Sequence, residues 1–212
     1  MKITKLGHCC LIIEVNGTRF LTDPGNYTTA QNDVKDIDCV VISHEHTDHL
    51  HIESLEAVLK NNPKATVICN ASVGKILETK GIAFTKIADG EETEVNGVTI
   101  SGHGLKHHLI YRDYEQVENT GYFFDKRFYY PGDAFHNPGM PIDILAFPVT
   151  APWCNLTEAM DYVLDVKPRV AFSVHDGNLV RQTGITKRLP ELYLPKSGIQ
   201  FIALELGKET DF

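Results

Sequence analysis

The chain has few cysteines, a deficit of basic residues and no long apolar run. Five cysteines stand among 212 residues, an odd number with no CxxC pair. That count argues against a disulfide framework and for a reducing compartment, so a cytoplasmic location is expected. No apolar stretch approaches the roughly 20 residues that cross a bilayer, and no membrane association is expected. The opening MKITKLGHCC turns polar at Glu14, which predicts no secretory leader. Twenty Lys and Arg stand against 28 Asp and Glu, a net charge of −8, and no basic run exceeds two residues. Without a basic face, nucleic acid is not an expected partner. What remains, 42% hydrophobic and 23% charged residues, is ordinary for a globular protein. No Ser/Gly linker divides it, so one α/β domain over residues 1–212 is expected, with two similar halves.

Strand-like and helix-like segments alternate. Leu11–Val15 and Arg19–Thr22 flank Asn16-Gly17, a hairpin signal. Asp38–Ser43 and Ala65–Cys69 are short apolar runs suited to buried strands. Ile52–Lys60 places Ile52, Leu55, Val58 and Leu59 at helical spacing ahead of Pro63, and Ser72–Lys80 forms a helix closed by Gly81. Phe84–Ile87 and Glu94–Ser101, the latter broken at Asn96-Gly97, predict strands, and His107–Asn119 a polar loop. Gly121–Asp125 and Arg127–Tyr130 pair about Asp125-Lys126. Ile142–Pro148, Arg169–Val174 and Gln200–Glu205 predict strands. Leu156–Val166 predicts a helix with Thr157 as its N-cap, and Thr186–Leu194 a short helix.

What the chain has in excess is histidine, ten in all, four of them within His44-Glu45-His46-Thr47-Asp48-His49-Leu50-His51. The cluster follows a predicted buried strand and precedes an amphipathic helix, and ligand sites form at the carboxyl ends of such strands. Imidazole and carboxylate suit borderline cations such as Zn²⁺. His44 and His46 are two apart and project to one side of an extended segment. Asp48 and His49 come where the chain turns, so one pair can serve one metal and the second pair a neighbour. The residue four after His44 is Asp48, which excludes a zincin HExxH helix. Other metal-compatible residues end predicted strands: Asp23 after FLT, His103 and His107 within GHGLKHH, Asp133 after YYPG, and His175 after FSV. Each alone reads as turn chemistry; together they do not.

The ordered set resembles the metallo-β-lactamase superfamily of hydrolases. Its HxHxDH motif is complete as His44, His46, Asp48 and His49, and its later histidine, aspartate and histidine fit GLKHH, PGD and VHDG. Gly7-His8 and Pro131-Gly132-Asp133 resemble the stand-alone branch that includes ascorbate-6-phosphate lactonases. The resemblance implies a four-layer αββα sandwich and two divalent metal ions, Zn²⁺ foremost, with Mn²⁺ or Fe²⁺ compatible. It implies that His44, His46 and His107 hold the first, that Asp48, His49 and His175 hold the second, and that Asp133 bridges them. His103 is the runner-up for the third histidine and His108 a weaker one. Asp23 is expected to accept an imidazole N–H. His8, His136 and Trp153 are expected near the substrate, His51 at the periphery.

The implied chemistry is hydrolysis of a small ester, lactone or phosphodiester by a hydroxide shared between metals about 3.5–4 Å apart, with Asp48 and Asp133 as the catalytic carboxylates. Aspartate rather than cysteine or serine at position 133 argues against a true β-lactamase. The chain is too short for the flavodoxin module or nuclease insert of other branches. Tyr111–Glu118 is a candidate cover for the site, and Lys106 and Arg112 are candidate anion partners. Cys9, Cys10, Cys39 and Cys69 are expected in the core. The alternative is a catalytically silent metal-binding sensor or scaffold of the same fold, disfavoured because every ligand type is present. The expected partner is a small-molecule substrate, and a homo-oligomer is compatible with the sequence.

Overall fold

The computed structural model describes residues 1–112, 114, 116–179 and 184–212. In the first half, β1 (Lys2–Gly7), β2 (Cys10–Val15), β3 (Thr18–Thr22), β4 (Cys39–Ile42), β5 (Thr66–Cys69) and β6 (Thr85–Lys86) lie side by side in chain order. The second half builds the other sheet from β7 (Glu92–Val95), β8 (Val98–His103), β9 (Gly121–Phe124), β10 (Phe128–Tyr130), β11 (Ile144–Pro148), β12 (Val170–Val174) and β13 (Gln200–Phe201). The last strand, β14 (Glu209–Asp211), returns to pair antiparallel with β1. Each sheet is antiparallel through its hairpins and parallel beyond, from β3 to β6 and from β10 to β13. The hairpin turns have positive φ at both central residues, Asn16-Gly17, Asn96-Gly97 and Asp125-Lys126. That conformation matches the right-handed twist of the strands it joins.

Side-chain alternation decides the layering. In β4, Val40 and Ile42 pack with Leu55 and Val58 of α1 (Ile52–Asn61) and Val73 and Leu77 of α2 (Ala71–Thr79). Cys39 and Val41 face the other way, into a cluster with Ile100, Phe124, Phe128 and Phe172 of the second sheet. On that sheet's far face, Leu145 and Phe147 pack with Ala159 and Val163 of α3 (Leu156–Val166). The layers are therefore helix, sheet, sheet, helix, the expected αββα sandwich. The helix α4 (Ile185–Tyr193) buries only Pro190. No helix of the described residues is long and apolar enough to cross a membrane.

Four local expectations are corrected. First, β1 was not foreseen, because Lys5 occupies an inward position and breaks the apolar alternation. Lys5 is 2% exposed and its Nζ meets Asp176 Oδ2 at 2.6 Å. Second, β14 is a polar Glu-Thr-Asp segment with no pattern of its own. Third, the strand expected over Gln200–Glu205 pairs only through Gln200–Phe201. Ile202 N–H still reaches Ala171 O, but the next acceptor on that edge, Ser173 O, takes Lys5 Nζ at 3.0 Å. Fourth, α3 begins one residue before Thr157, so Asn155 is its cap and accepts from Glu158 N–H at 3.0 Å.

Candidate metal centre

Six strand ends meet at one rim of the sandwich. Asp23 follows β3, Ser43 and His44 follow β4, Asp133 follows β10 and its Pro-Gly turn, and His175 follows β12. His8 fills the β1–β2 turn, and His103 ends β8. His8, Asp23 and His175 have left-handed backbones, with φ of 51°, 37° and 58°. Each costs about 1–3 kcal/mol for a residue with a side chain. Neighbouring contacts hold them there: Asp23 N–H donates to Val41 O at 3.0 Å, and His175 N–H to His8 O at 3.3 Å. Gly25 lets this rim close, since a Cβ there would lie 1.8 Å from the Asp48 carbonyl oxygen.

The imidazoles share one pattern. His44 Nδ1 faces Ser43 Oγ at 3.0 Å, and His49 Nδ1 meets Asp23 Oδ2 at 2.6 Å. His107 Nδ1 meets His108 O at 2.5 Å, and His175 Nδ1 meets Thr150 O at 2.7 Å. Each ring is thereby turned so that Nε2 faces inward. Among the described residues, the buried Nε2 atoms of His49, His107 and His175 and Oδ1 of Asp133 make no hydrogen bond of acceptable angle, although Asp133 oxygens lie 2.9 to 3.4 Å from the three nitrogens. Buried polar atoms without partners are costly and need an explanation. A cation coordinated by them is one that the donor set fits. His44, His46 and His107 offer ring nitrogens within 4.8 Å of one another, and His8, Asp48, His49 and His175 form a second such set. Asp133 stands between. Its Oδ2 lies 3.4 Å from His107 Nε2 and 2.9 Å from His175 Nε2, and its Oδ1 lies 3.1 Å from His49 Nε2.

Charge follows from this packing. Burial works against ionising Asp133 and Asp48, yet the facing imidazoles hold both carboxylates well below their ordinary range. Burial also opposes charge on His49 and His175, but here the carboxylates prevail; His49 is pushed well up and His175 to about 9. Burial dominates at His44, which is held well below the usual imidazole value and is neutral at pH 7. A metal ligand must be neutral imidazole, so a cation bound at this candidate site would expel the protons of His49 and His175. Metal affinity should therefore rise with pH from 6 toward about 9, and calorimetry at pH 7 in buffers of different ionisation enthalpy should detect proton release. An affinity flat across that range would contradict it.

Sequence-predicted residues divide into two groups. His44, His46, Asp48, His49, His107, Asp133 and His175 converge, with Asp23 behind His49 and His8 against Asp48. A cavity of about 470 Å³ opens over them, lined also by Tyr27, Ile110, Pro152 and Trp153. Trp153 packs edge-on to His107 at 5.5 Å and stacks on His108 at 5.1 Å. His103 lies apart, bonded to Ser101 Oγ at 3.0 Å and packed on Phe123 and Tyr129. His136 sits beside Gly104, and His51 caps α1 next to Glu53. Neither Lys106 nor Arg112 is among the cavity-lining residues; Arg112 lies over the Tyr111 ring. In the candidate cover over Tyr111–Glu118, Asp113 and Glu115 lie outside the described residues. His107→Ala should lower metal occupancy and His103→Ala should leave it intact, as measured by elemental analysis of the purified variants.

Three contributors escaped the sequence reading. Asp23 accepts from Ser43 N–H at 2.7 Å, from Ser43 Oγ at 2.6 Å and from the Tyr130 hydroxyl. Asn119 holds the Asp133 turn, accepting Asp133 N–H at 3.0 Å and donating to Pro131 O at 2.9 Å. Tyr130, Ser43 and Asn119 sit in or beside apolar strands, where nothing local marks them. Cys9, read from the sequence as a core residue with a thiol beside the metals as the alternative, is fully buried, and its thiol shares a 4.8 Å neighbourhood with His49 and Asp133.

Comparisons with known proteins give the family and the fold. The model of a β-lactamase superfamily domain matches residues 2–175. Protein Rv0786c of Mycobacterium tuberculosis is 31% identical over 82% of this chain and 84% of its own length. A UPF0173 metal-dependent hydrolase of Koribacter versatilis is 29% identical over 67% of this chain and 66% of its own. Among solved structures, Igni18, a metallo hydrolase of the archaeon Ignicoccus hospitalis, superposes with a TM-score of 0.77 at 19% identity, covering 100% of this chain and 98% of that one. At that identity the likeness is one of fold.

Proposed function

The chain belongs to the β-lactamase superfamily, and from that membership and the ligand cage we propose that it is a metal-dependent hydrolase with a dinuclear centre. Its substrate is a small ester, lactone or phosphodiester, taken into the cavity beside Trp153 by residues 1–212 acting as one hydrolase domain. The observation that carries this reading is the set of buried, unpartnered Nε2 atoms on His49, His107 and His175 around Asp133.

His44, His46 and His107 would hold one cation and Asp48, His49 and His175 the other, with the Asp133 carboxylate lying between the two sets. Nitrogen-rich ligation favours Zn²⁺, with Mn²⁺ and Fe²⁺ compatible. When bound, such a pair supplies Lewis acidity and lowers the pKa of water toward neutrality. The protein's part is orientation. Asp23 and Thr150 O hold the His49 and His175 rings by their Nδ1 atoms, so each turns its free nitrogen inward. Asp48 is the least buried of the carboxylates here and lines the cavity, where its ionised oxygens can accept a hydrogen bond from a water and orient it. Ile110, Pro152 and Trp153 form the apolar side of the cavity, against which the non-polar part of a substrate would rest.

Metal analysis of the purified protein, followed by hydrolysis of bis-p-nitrophenyl phosphate and a panel of lactones and esters, tests the reading. About two equivalents per chain, with turnover lost and regained as metal is stripped and restored, is the expected result. Two tightly held metals without turnover on any of these compounds would favour the sensor or scaffold instead.

A further inference from the structure

His8 lies with Asp48, His49 and His175 in one set of candidate ligand atoms. Distance alone makes it a fourth ligand of the second cation position. Its hydrogen bonds argue otherwise. Gly177 N–H points at His8 Nδ1 from 3.0 Å. A backbone N–H can only donate, so Nδ1 must accept and carries no proton. The single proton of the neutral ring is then on Nε2, which lies 3.2 Å from Asp48 Oδ2. A nitrogen that carries a proton has no lone pair for a metal.

We propose that His8 is a positioning residue for Asp48 and not a metal ligand, its Nε2–H tautomer locked by the Gly177 backbone. The proposal rests on the two-cation reading for its consequence and on the Gly177 contact for its chemistry. The lock is built into both chain segments. His8 is 2% exposed and held at φ 51°. The rings of Tyr27 and His175 pack against it, with centroids at 4.6 and 4.1 Å. Residue 177 has to be glycine for its N–H to come this close. A Cβ there would lie 2.9 Å from His8 Nδ1 and 2.8 Å from the Tyr27 ring. The glycine of His175-Asp176-Gly177 thus has a task beyond turning the chain.

The consequence concerns room at the centre. Asp48, His49, His175 and Asp133 would be the donors of the second site, and with His8 outside that set a five-coordinate cation would still have a place for water or substrate. As an outer donor, His8 instead fixes the Asp48 carboxylate in one rotation, as partners behind metal ligands commonly do.

Long-range ¹H–¹⁵N correlation on the intact protein reads the tautomer directly, with and without added Zn²⁺. A protonated Nε2 and bare Nδ1 in both states is expected. A bare Nε2, or loss of its proton when Zn²⁺ is added, would overturn the assignment whether or not the site proves dinuclear. Two variants test the role. His8→Ala and His8→Gln should each retain the parent's Zn²⁺ stoichiometry. His8→Ala should weaken Zn²⁺ binding or turnover by about 10–100-fold. His8→Gln, whose amide can donate to Asp48 and accept from Gly177, should recover most of that loss. One equivalent lost in both variants would make His8 a ligand, and a His8→Ala protein equal to the parent in affinity and turnover would remove the positioning role. Absence of bound Zn²⁺ in the parent would instead count against the proposed function.

Discussion

Asp133→Ala is expected to reduce metal content from about two equivalents to one and to lower kcat/KM by on the order of 10³-fold, about 4 kcal/mol of transition-state stabilisation. The carboxylate is 2% exposed and faces three imidazole Nε2 atoms from three separate strand ends and loops, at 2.9 to 3.4 Å. The main chain at this point is tethered independently, through Asp133 N–H to Asn119 and His108 N–H to Asp133 O, so the truncated protein should keep its fold. Asp133→Asn separates charge from shape. It keeps the volume but cannot counter the imidazolium charge that the carboxylate promotes, so His175 should titrate well below its value of about 9. Histidine titration by NMR on metal-free protein measures that shift. Retention of two equivalents and normal turnover in Asp133→Ala would remove the bridging assignment.

The second large effect is expected behind the centre, at Asp23. This carboxylate is fully buried and touches no candidate metal position itself. Removing it strands Ser43 N–H, the Ser43 and Tyr130 hydroxyls and His49 Nδ1 without their common acceptor. Breaking a buried charged network by deleting one partner costs about 3–5 kcal/mol. Asp23→Ala should lose that much in urea denaturation, and with His49 free to rotate its metal affinity should fall about 10–100-fold. Tyr130→Phe removes a single donor and should cost about 1 kcal/mol with little effect on metal content. A small stability loss in Asp23→Ala would show that water replaces the carboxylate adequately, contrary to the packing seen around it.

Local chemistry made much of this protein readable before its coordinates. Two-residue turns of Asn-Gly need positive φ at both positions, so the hairpins could be placed from dipeptides. The run from His44 to His49 declares a metal site because its donors are near neighbours in sequence, and two-residue spacing already aims His44 and His46 together. Helix spacing in Ile52–Lys60 pointed to the face that buries Leu55 and Val58. The misses were places where a distant partner overrides the local pattern. Lys5 belongs inside only because Asp176 arrives to pair with it across the sandwich.

The residue types thus announced the cation chemistry and the layered α/β architecture, since both rest on spacings of a few residues. Which histidine lies beside His44 and His46, what stands behind each ring, and what faces each nitrogen of His8 depended on segments as far apart as His8 and Gly177. Such choices turn on the approach of one backbone to another, as at Gly25 and Gly177, and on orientations of imidazole nitrogens that only a folded neighbour can impose. No pattern within a single segment encodes them, because the energy that selects them comes from contacts closed only once the two sheets have packed.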